Sequence, residues 1–473
     1  MVGYLSIMDP QPTPTERIPA ITQALRAHFA SGATRPESAR RTALKALRSS
    51  LRAHEEELLS AMHADMRKPR FEAYMSDIGL VYTEIDHTLD HLAEWMRVEH
   101  VPTPLALQVA SSAIHREPLG VVLIIAPWNY PVLLLLSPLI GAIAAGNCAV
   151  VKPSNETPRT AAVIERVIAE AFVPEHVAVV QGPGSSIGPA LIERFRFDHI
   201  FFTGSAAVGA RVMAMAAPHL TPVTLELGGK SPAIVDRKVN VKQAAERIAW
   251  SKYFNAGQTC IATDHALVHH AVMEPFLDCL QKSLLKFYSE DPQRSPHFAR
   301  LVNEKRFATV KGYLGLGTVR IGGGHDATDR YIAPTVLTDV KQESPVMREE
   351  IFGPVLPVIP WNEKEEVLGI VQRNPFPLAA YVYSSDTKAT QYFTERIPFG
   401  GGCINHGMLH FGNPELSFGG VGTSGMGGYH GRRTFELFSH RKSIVTASTW
   451  IDPGLQIPPY SSFKERVLRW VLK

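Results

Sequence analysis

In the segment FNAGQTCIATD, Cys260 follows a small glycine-containing turn, where a thiol can be presented at the end of an element with its own backbone N–H free. A thiol so placed can attack a carbonyl, and the N–H can take up the negative charge that develops. A lone cysteine is more often a small buried hydrophobe, so Cys260 carries chemistry only if it has partners. In TPVTLELGGKSP a β-branched run carries Glu226 to a double glycine. Carboxylates are rare in strands unless paired or functional, and one against an apolar wall has its pKa raised toward that of a general base. The alternative is a structural carboxylate tying down a turn. In APWNYP, Asn129 lies between two prolines after the apolar run VVLII. Its neutral amide can donate to an oxyanion without titrating, or can simply form the turn.

Signals for a cofactor are individually weak but agree. FFTGSAAVG follows an apolar run and opens a helix, so Gly204, Ser205 and Gly209 could admit a pyrophosphate to a helix N-terminus, or could serve packing alone. Lys152, in VVKPSNETP, stands where nucleotide riboses bind at the edge of a parallel sheet, although a solvated lysine would read the same. GPGSSIG differs from a dinucleotide fingerprint by one residue of spacing and is read as an ordinary loop.

These residues need a frame. Residues 16–99 show apolar positions at three- and four-residue intervals, as in ESARRTALKALRSSLRAHEEELLSAMHADM, and predict a helical lead-in. Between residues 120 and 229 the runs VVLII, CAVV, VAVVQG, HIFFTG and TPVTLEL alternate with helix-length segments, which predicts βαβ units and a parallel sheet. A second series follows residue 231 (PAIV, HALVHH, TVLTDV, VLPVIP, AAYVYS). The fold class expected is α/β, with two doubly wound parallel sheets. The apolar stretch 121–151 is long enough for a bilayer, but Pro127, Asn129, Pro131 and Pro138 break it into strand, turn, helix and strand. FGGGCINHGMLHFGNPELSFGGVGTSGMGGYHG is read as a functional loop too rich in glycine for regular structure.

A chain of 473 residues exceeds one hydrophobic core, and 45% hydrophobic with 20% charged residues excludes disorder as the default. The net charge of +3 gives no footprint for nucleic acid. Cys148, Cys260, Cys279 and Cys403 lack CxxC spacing, so neither metal nor disulfides are expected and a reducing compartment fits. MVGYLSIMDPQPTPTERIP has no secretory pattern and reads as a mobile leader, leaving cytoplasm as the expected location.

EPLGVVLIIAPWNYP, AAGNCAVVKPS, FFTGSAAVG, TLELGGKSP, GQTC, EEIFGPVLPV and SFGGVGTSGMGGYHGRRTFELFSHRKS occur in the order found in the aldehyde dehydrogenase superfamily, and the chain resembles it from about residue 39 to 445. The last motif is similar to the class 3 branch, whose substrates include fatty and aromatic aldehydes. The resemblance implies NAD or NADP as cofactor, Cys260 as nucleophile, Glu226 as base for water, and Asn129 with the Cys260 N–H as oxyanion hole. It places Lys152 and Asn155 at the adenosine ribose, Gly204, Ser205 and Gly209 at the pyrophosphate, Glu350 and Phe352 at the nicotinamide ribose and ring, and Trp128 in the same cleft. It also implies a homodimer built through an arm, for which FSHRKSIVTAS has the needed alternation. The division expected is a leader at 1–15, a dinucleotide-binding domain at 16–228 with part of the arm near 98–117, a catalytic domain at 229–430, the rest of the arm at 431–450 and a tail at 451–473.

Three departures stand out. Ala206 in GSAAVG lacks the hydroxyl of the usual GSTxVG. Asn155 replaces an acid that in most relatives would bind the ribose and repel a 2′-phosphate. Asn405-His406 stands where Asn-Asp is common, leaving the substrate mouth open. Stretches 74–82 and 403–416, which no motif constrains, are expected to line that mouth. The amphipathic end PPYSSFKERVLRWVLK is too short to span a bilayer and is read as a docked or frayed terminus, with contact to a membrane surface as the alternative.

Overall fold

The structure is a computed structural model and describes residues 10–452 and 454–472. Five β-branched or leucine side chains make Val121–Ile125 a buried central strand, paired in parallel with Cys148–Lys152 on one side and His199–Thr203 on the other. Val177–Val179 and Val223–Glu226 extend the sheet outward in parallel, and Gly425–Met426 closes one edge antiparallel to Val223–Glu226. Every residue of the intervening helix Leu133–Ala145 is buried, and Gly146 ends it in the left-handed conformation (φ 92) that glycine adopts freely. The stretch long enough for a bilayer is therefore the core of an α/β layer. No helix of the described residues is long and apolar enough to cross a membrane.

The second sheet has seven strands, ordered Thr318–Ile321, Thr335–Thr338, Val355–Trp361, His265–His269, Pro232–Val235, Ala379–Tyr383 and Gly401–Ile404. All neighbours are parallel except the first pair. A third sheet is antiparallel, Glu99–Val101 with Ala110–Pro118 and Ser439–Ala447, and forms the arm.

Four readings are corrected. The glycine-rich segment is not all loop. Gly401–Ile404 pairs with Ala379–Tyr383, and Gly425–Met426 with Val223–Glu226. Glycine is used there because backbones approach closely: a Cβ at Gly402 would meet the Ala380 carbonyl at 2.2 Å. Residues 425–437 consequently belong with the first sheet. Helix Gly431–Leu437 packs on Leu133–Ala145, and Thr434 lies where a Cβ of Gly141 would fall, so the expected boundaries at 430 and 431 do not mark a change of body. The leader is docked at Thr13, whose N–H donates to the Gln181 carbonyl while its hydroxyl accepts from the Gln181 N–H; residues 1–9 lie outside the described residues. GPGSSIG turns at Gly182 and opens helix Gly184–Ile192.

Candidate active site

Trp128 and Asn129, Lys152, Gly204 with Ser205, and Glu226 all stand at the carboxyl ends of the parallel strands of the first sheet, the edge where doubly wound sheets bind ligands. Cys260 reaches that edge from the other sheet's side. Helix Val241–Tyr253 runs into a tight turn in which Asn255 and Ala256 both hold φ 52, a left-handed conformation that non-glycine residues rarely adopt. Side chains hold this turn from several directions. The Asn255 N–H donates to Glu72 Oε2 (2.9 Å) and its Nδ2 to the Asn129 carbonyl (3.0 Å). Gln258 Nε2 donates to the carbonyls of Asn255 (3.1 Å) and Arg300 (3.0 Å), while its Oε1 accepts from Val302 N–H (3.0 Å). A Cβ at Gly257 would lie 2.3 Å from the Gly353 carbonyl, so the turn also seats against the 350–353 segment.

Cys260 and Glu226 line one cavity of about 220 Å³. Its other walls are almost wholly apolar, including Leu134, Trp250 and Phe254, and both stretches expected at the mouth contribute to them, with Met75 and Leu80 from one and Met408 and Phe411 from the other. Glu226 is 2% exposed and neither carboxyl oxygen has a hydrogen-bond partner, so burial pushes its pKa well above the carboxylate range. Gly425 pairs beside it and Gly419 abuts it, sealing it with backbone. Burial first, and then the carboxyls of Glu350 and Glu226, push the Cys260 thiol up to about 12, while the N–H groups of Cys260 and Ile261 oppose the shift.

Asn129 is buried and donates from Nδ2 to the Gln258 carbonyl at 3.0 Å, two residues before the thiol, leaving its second amide N–H uncommitted. The neighbouring Tyr130 hydroxyl bonds Thr259 Oγ1, tying the same two loops again. The turn rests on a fully buried ion pair. Lys68 Nζ meets Asp77 Oδ2 at 2.6 Å and donates to the Asn129 carbonyl (3.2 Å), and Asp77 Oδ1 accepts from the N–H groups of Val132 and Leu133 (3.2 Å each). Helical spacing cannot separate Lys68, Glu72 and Asp77 from a solvated charged face, and no other sequence signal marks them.

On the cofactor side, Lys152 is buried with only the Pro153 carbonyl as partner (3.3 Å), and desolvation lowers its pKa to about 8. Asn155 is exposed and bonds Glu156 Oε1 (3.3 Å), whose other oxygen accepts from Asn303 Nδ2 (2.7 Å). Ser205 is the exposed N-cap of helix Ala206–Ala216. Gly209 instead serves packing: a Cβ there would lie 2.7 Å from Leu227. The Phe352 ring meets Trp128 edge-on at 5.4 Å. The Glu350 carboxyl occupies the space where a Cβ of Gly228 would be, and burial raises its pKa to about 8. A second buried pair, Lys230 with Asp264, fixes this segment. Lys230 donates to the Val346 (2.9 Å) and Glu349 (2.8 Å) carbonyls, and Asp264 accepts from the Ile351 N–H (2.9 Å). Among the described residues no cluster of His, Cys, Asp or Glu could hold a metal ion.

A partly buried thiol, an unpaired carboxyl and an amide are thus gathered at the edge of a dinucleotide-type sheet. The chain belongs to the aldehyde dehydrogenase family, whose model matches residues 7–444. Within it the chain is class 3-like: it is 44% identical to aldehyde dehydrogenase family 3 member B1 of Homo sapiens over 94% of this chain and 95% of that one. It is likewise 44% identical to the 4,4'-diaponeurosporen-aldehyde dehydrogenase of Staphylococcus aureus, over 92% of this chain and 95% of the relative. Among solved structures it is similar to Staphylococcus aureus AldH in a substrate-bound state, with TM-score 0.94 at 41% identity, covering 96% and 99% of the two chains. It is also similar to an aldehyde dehydrogenase from Bacillus cereus in an NAD+ complex, with TM-score 0.84 at 28% identity, covering 92% and 90%. An E. coli NADP dependent enzyme matches with TM-score 0.84 at 26% identity, covering 92% and 91%. The activity is oxidation of an aldehyde to the acid.

Proposed function

We propose that the reaction runs through a thioester on Cys260, with NAD or NADP as oxidant and an apolar aldehyde, aliphatic or aromatic, as substrate. The observation that carries this is the single apolar cavity onto which Cys260 and Glu226 both open. The thiolate adds to the aldehyde carbon, and the Cys260 N–H with the free N–H of Asn129 receives the oxyanion. When bound, NAD or NADP would supply the two-electron acceptor that conversion of the adduct to a thioester requires. Glu226 then deprotonates the water that releases the acid and restores the thiol. Lys152, Ser205, Glu350 and Phe352, with Trp128 beside the ring, are the groups that would hold the cofactor; the lone buried ammonium and the unpartnered Glu350 Oε1 fit that role. Formation of reduced nicotinamide over an aldehyde panel tests the reading: Cys260→Ala is expected to abolish the signal, and persistence would overturn it.

Asn155 puts a neutral amide after Lys152-Pro153-Ser154, and the one acid beside it, Glu156, is held by Asn155 and Asn303, which favours tolerance of a 2′-phosphate. Asn155→Glu is expected to shift the ratio of kcat/KM toward NAD; an unchanged ratio would refute this. The outer edge of Ser439–Ala447 in the arm is unpaired among the described residues and suits a homodimer in the cytoplasm. Light scattering should return twice the chain mass. Helix Ser462–Val471 exposes Phe463 and Trp470 among Lys464, Arg466 and Arg469, which suits contact with an anionic membrane surface. Anionic liposomes should pellet the full chain more than one ending at Pro459, and equal pelleting would exclude it.

A further inference from the structure

Beside the main cavity lies a recess of about 20 Å³, and Leu80, Leu133, Phe411 and Gly412 line both. The walls of the main cavity are apolar, but the recess adds four polar side chains, Thr83, Glu84, Ser137 and His430. They converge from separate elements: helix Gly79–Trp95 carries Thr83 and Glu84, helix Leu133–Ala145 carries Ser137, and His430 precedes helix Gly431–Leu437. Ser137 is 1% exposed and its side chain lines the recess. His430 is 5% exposed, with its ring packed on Phe411, Phe418 and Tyr429 and no side-chain hydrogen bond among the described residues. Glu84 is 6% exposed and accepts one bond, from the Gly431 N–H at 2.9 Å.

Three nearly buried side chains that can donate or accept hydrogen bonds line this one space, so a polar occupant matches it better than an apolar one. A space of roughly 10–15 Å³ with two to four polar partners suffices for one water-sized group, so this recess takes one oxygen atom and little more. The chemistry of the walls chooses the group. Burial lowers the His430 pKa to about 3, so the ring is neutral and offers one acceptor and one donor. Ser137 can donate or accept, and a carboxyl at Glu84 disfavours a second anion. His430 also holds φ 92, a strained conformation kept in place by its N–H to Thr434 Oγ1 at 2.7 Å.

We propose that this recess is a hydroxyl subsite of the substrate cavity, recognising aldehydes that carry a neutral hydroxyl on an otherwise apolar body. The inference rests on the aldehyde reading of the main cavity and adds a preference that an apolar cavity alone would not have. A hydroxyl there exchanges its water for Ser137, Glu84 and His430, whereas the unsubstituted parent leaves those groups to a trapped water.

The test compares kcat/KM for a series of medium-chain aldehydes, bearing the hydroxyl at successive positions, with their unsubstituted parents. Wild type, Ser137→Ala and Glu84→Gln are used, the last keeping an acceptor for Gly431. At one hydroxyl position the hydroxy-to-parent ratio is expected to be about tenfold higher in wild type than in Ser137→Ala, the size of one buried hydrogen bond, with the parents changed less than twofold. Glu84→Gln should lower the same ratio at the same position. Equal ratios in all three proteins at every position would overturn the subsite and leave a recess that holds water only, while aldehyde oxidation itself would stand. Oxidation of no aldehyde by wild type would instead remove the aldehyde reading and the subsite with it.

Discussion

Cys260 and Glu226 face the same apolar space, and burial disfavours the charged form of both. A thiol whose pKa lies near 12 is a poor nucleophile at neutral pH, because the thiolate is the reactive species. Alkylation of Cys260 by iodoacetamide without cofactor should therefore be slow and climb through pH 9 without a plateau. A plateau near pH 7 would refute this. For Glu226 the sign runs likewise: a raised pKa means the base form appears only as pH rises, so a kcat limited by thioester hydrolysis should increase with pH. Glu226→Gln should keep a burst of reduced nicotinamide close to one per site while the steady rate falls about 10²-fold or more, since only hydrolysis needs the base. Loss of the burst would place Glu226 in an earlier step.

Lys68, Glu72 and Asp77 act on the site without lining the cavity that holds the reacting atoms. Lys68 and Asp77 grip the Asn129 turn, and Glu72 grips Asn255, so this short stretch joins the oxyanion amide to the loop that presents the thiol. Tyr74–Ile78, wound as a π turn, brings Asp77 under that turn. Lys68→Met should lower kcat/KM by about 10–100-fold, as displacement of one oxyanion donor would. The diagnostic measurement is the double-mutant cycle with Asn129→Ala. If Lys68 works through Asn129, the second substitution adds little once the amide is gone; the same factor in both backgrounds would make its role purely structural. Lys230 and Asp264 stand in the same relation to the 346–351 segment, and Asp264→Asn should raise KM for the cofactor more than it lowers kcat.

Across the whole molecule, several desolvated carboxyls surround the site and its neighbouring recess: Glu350 is raised to about 8, and Glu72 and Glu84 to about 7, each chiefly by desolvation. Between the unfolded carboxyl pKa of about 4.3 and these values the native chain binds more protons than the unfolded one, so stability falls as pH rises through that window. Glu350→Gln should thus have a higher Tm than wild type, with the gap widening from pH 5 to pH 8; a constant gap would show that Glu350 does not titrate differently on folding. The glycine-rich return of the chain, which abuts Glu226 and pairs with its strand, covers one side of that carboxyl and adds to its desolvation.

Local chemistry made much of this legible before any fold was known. Strand and helix follow from side-chain type at fixed spacing, so Val121–Ile125, Leu133–Ala145 and Cys148–Lys152 were readable directly, and with them the sheet edge that carries Asn129 and Lys152. Cys260 and Glu226 were readable as candidates because thiols after glycine turns and carboxyls at strand ends are uncommon. What depends on tertiary contact was not. Whether Lys68 and Asp77, nine residues apart, meet each other or water depends on the Asn129 turn that covers them, and whether Gly402 and Gly425 join strands or loops and whether Ser137 and His430 share a recess are settled by segments tens to hundreds of residues apart. Desolvation, which sets the protonation of Cys260, Glu226 and Glu350, arises only when those segments close around them.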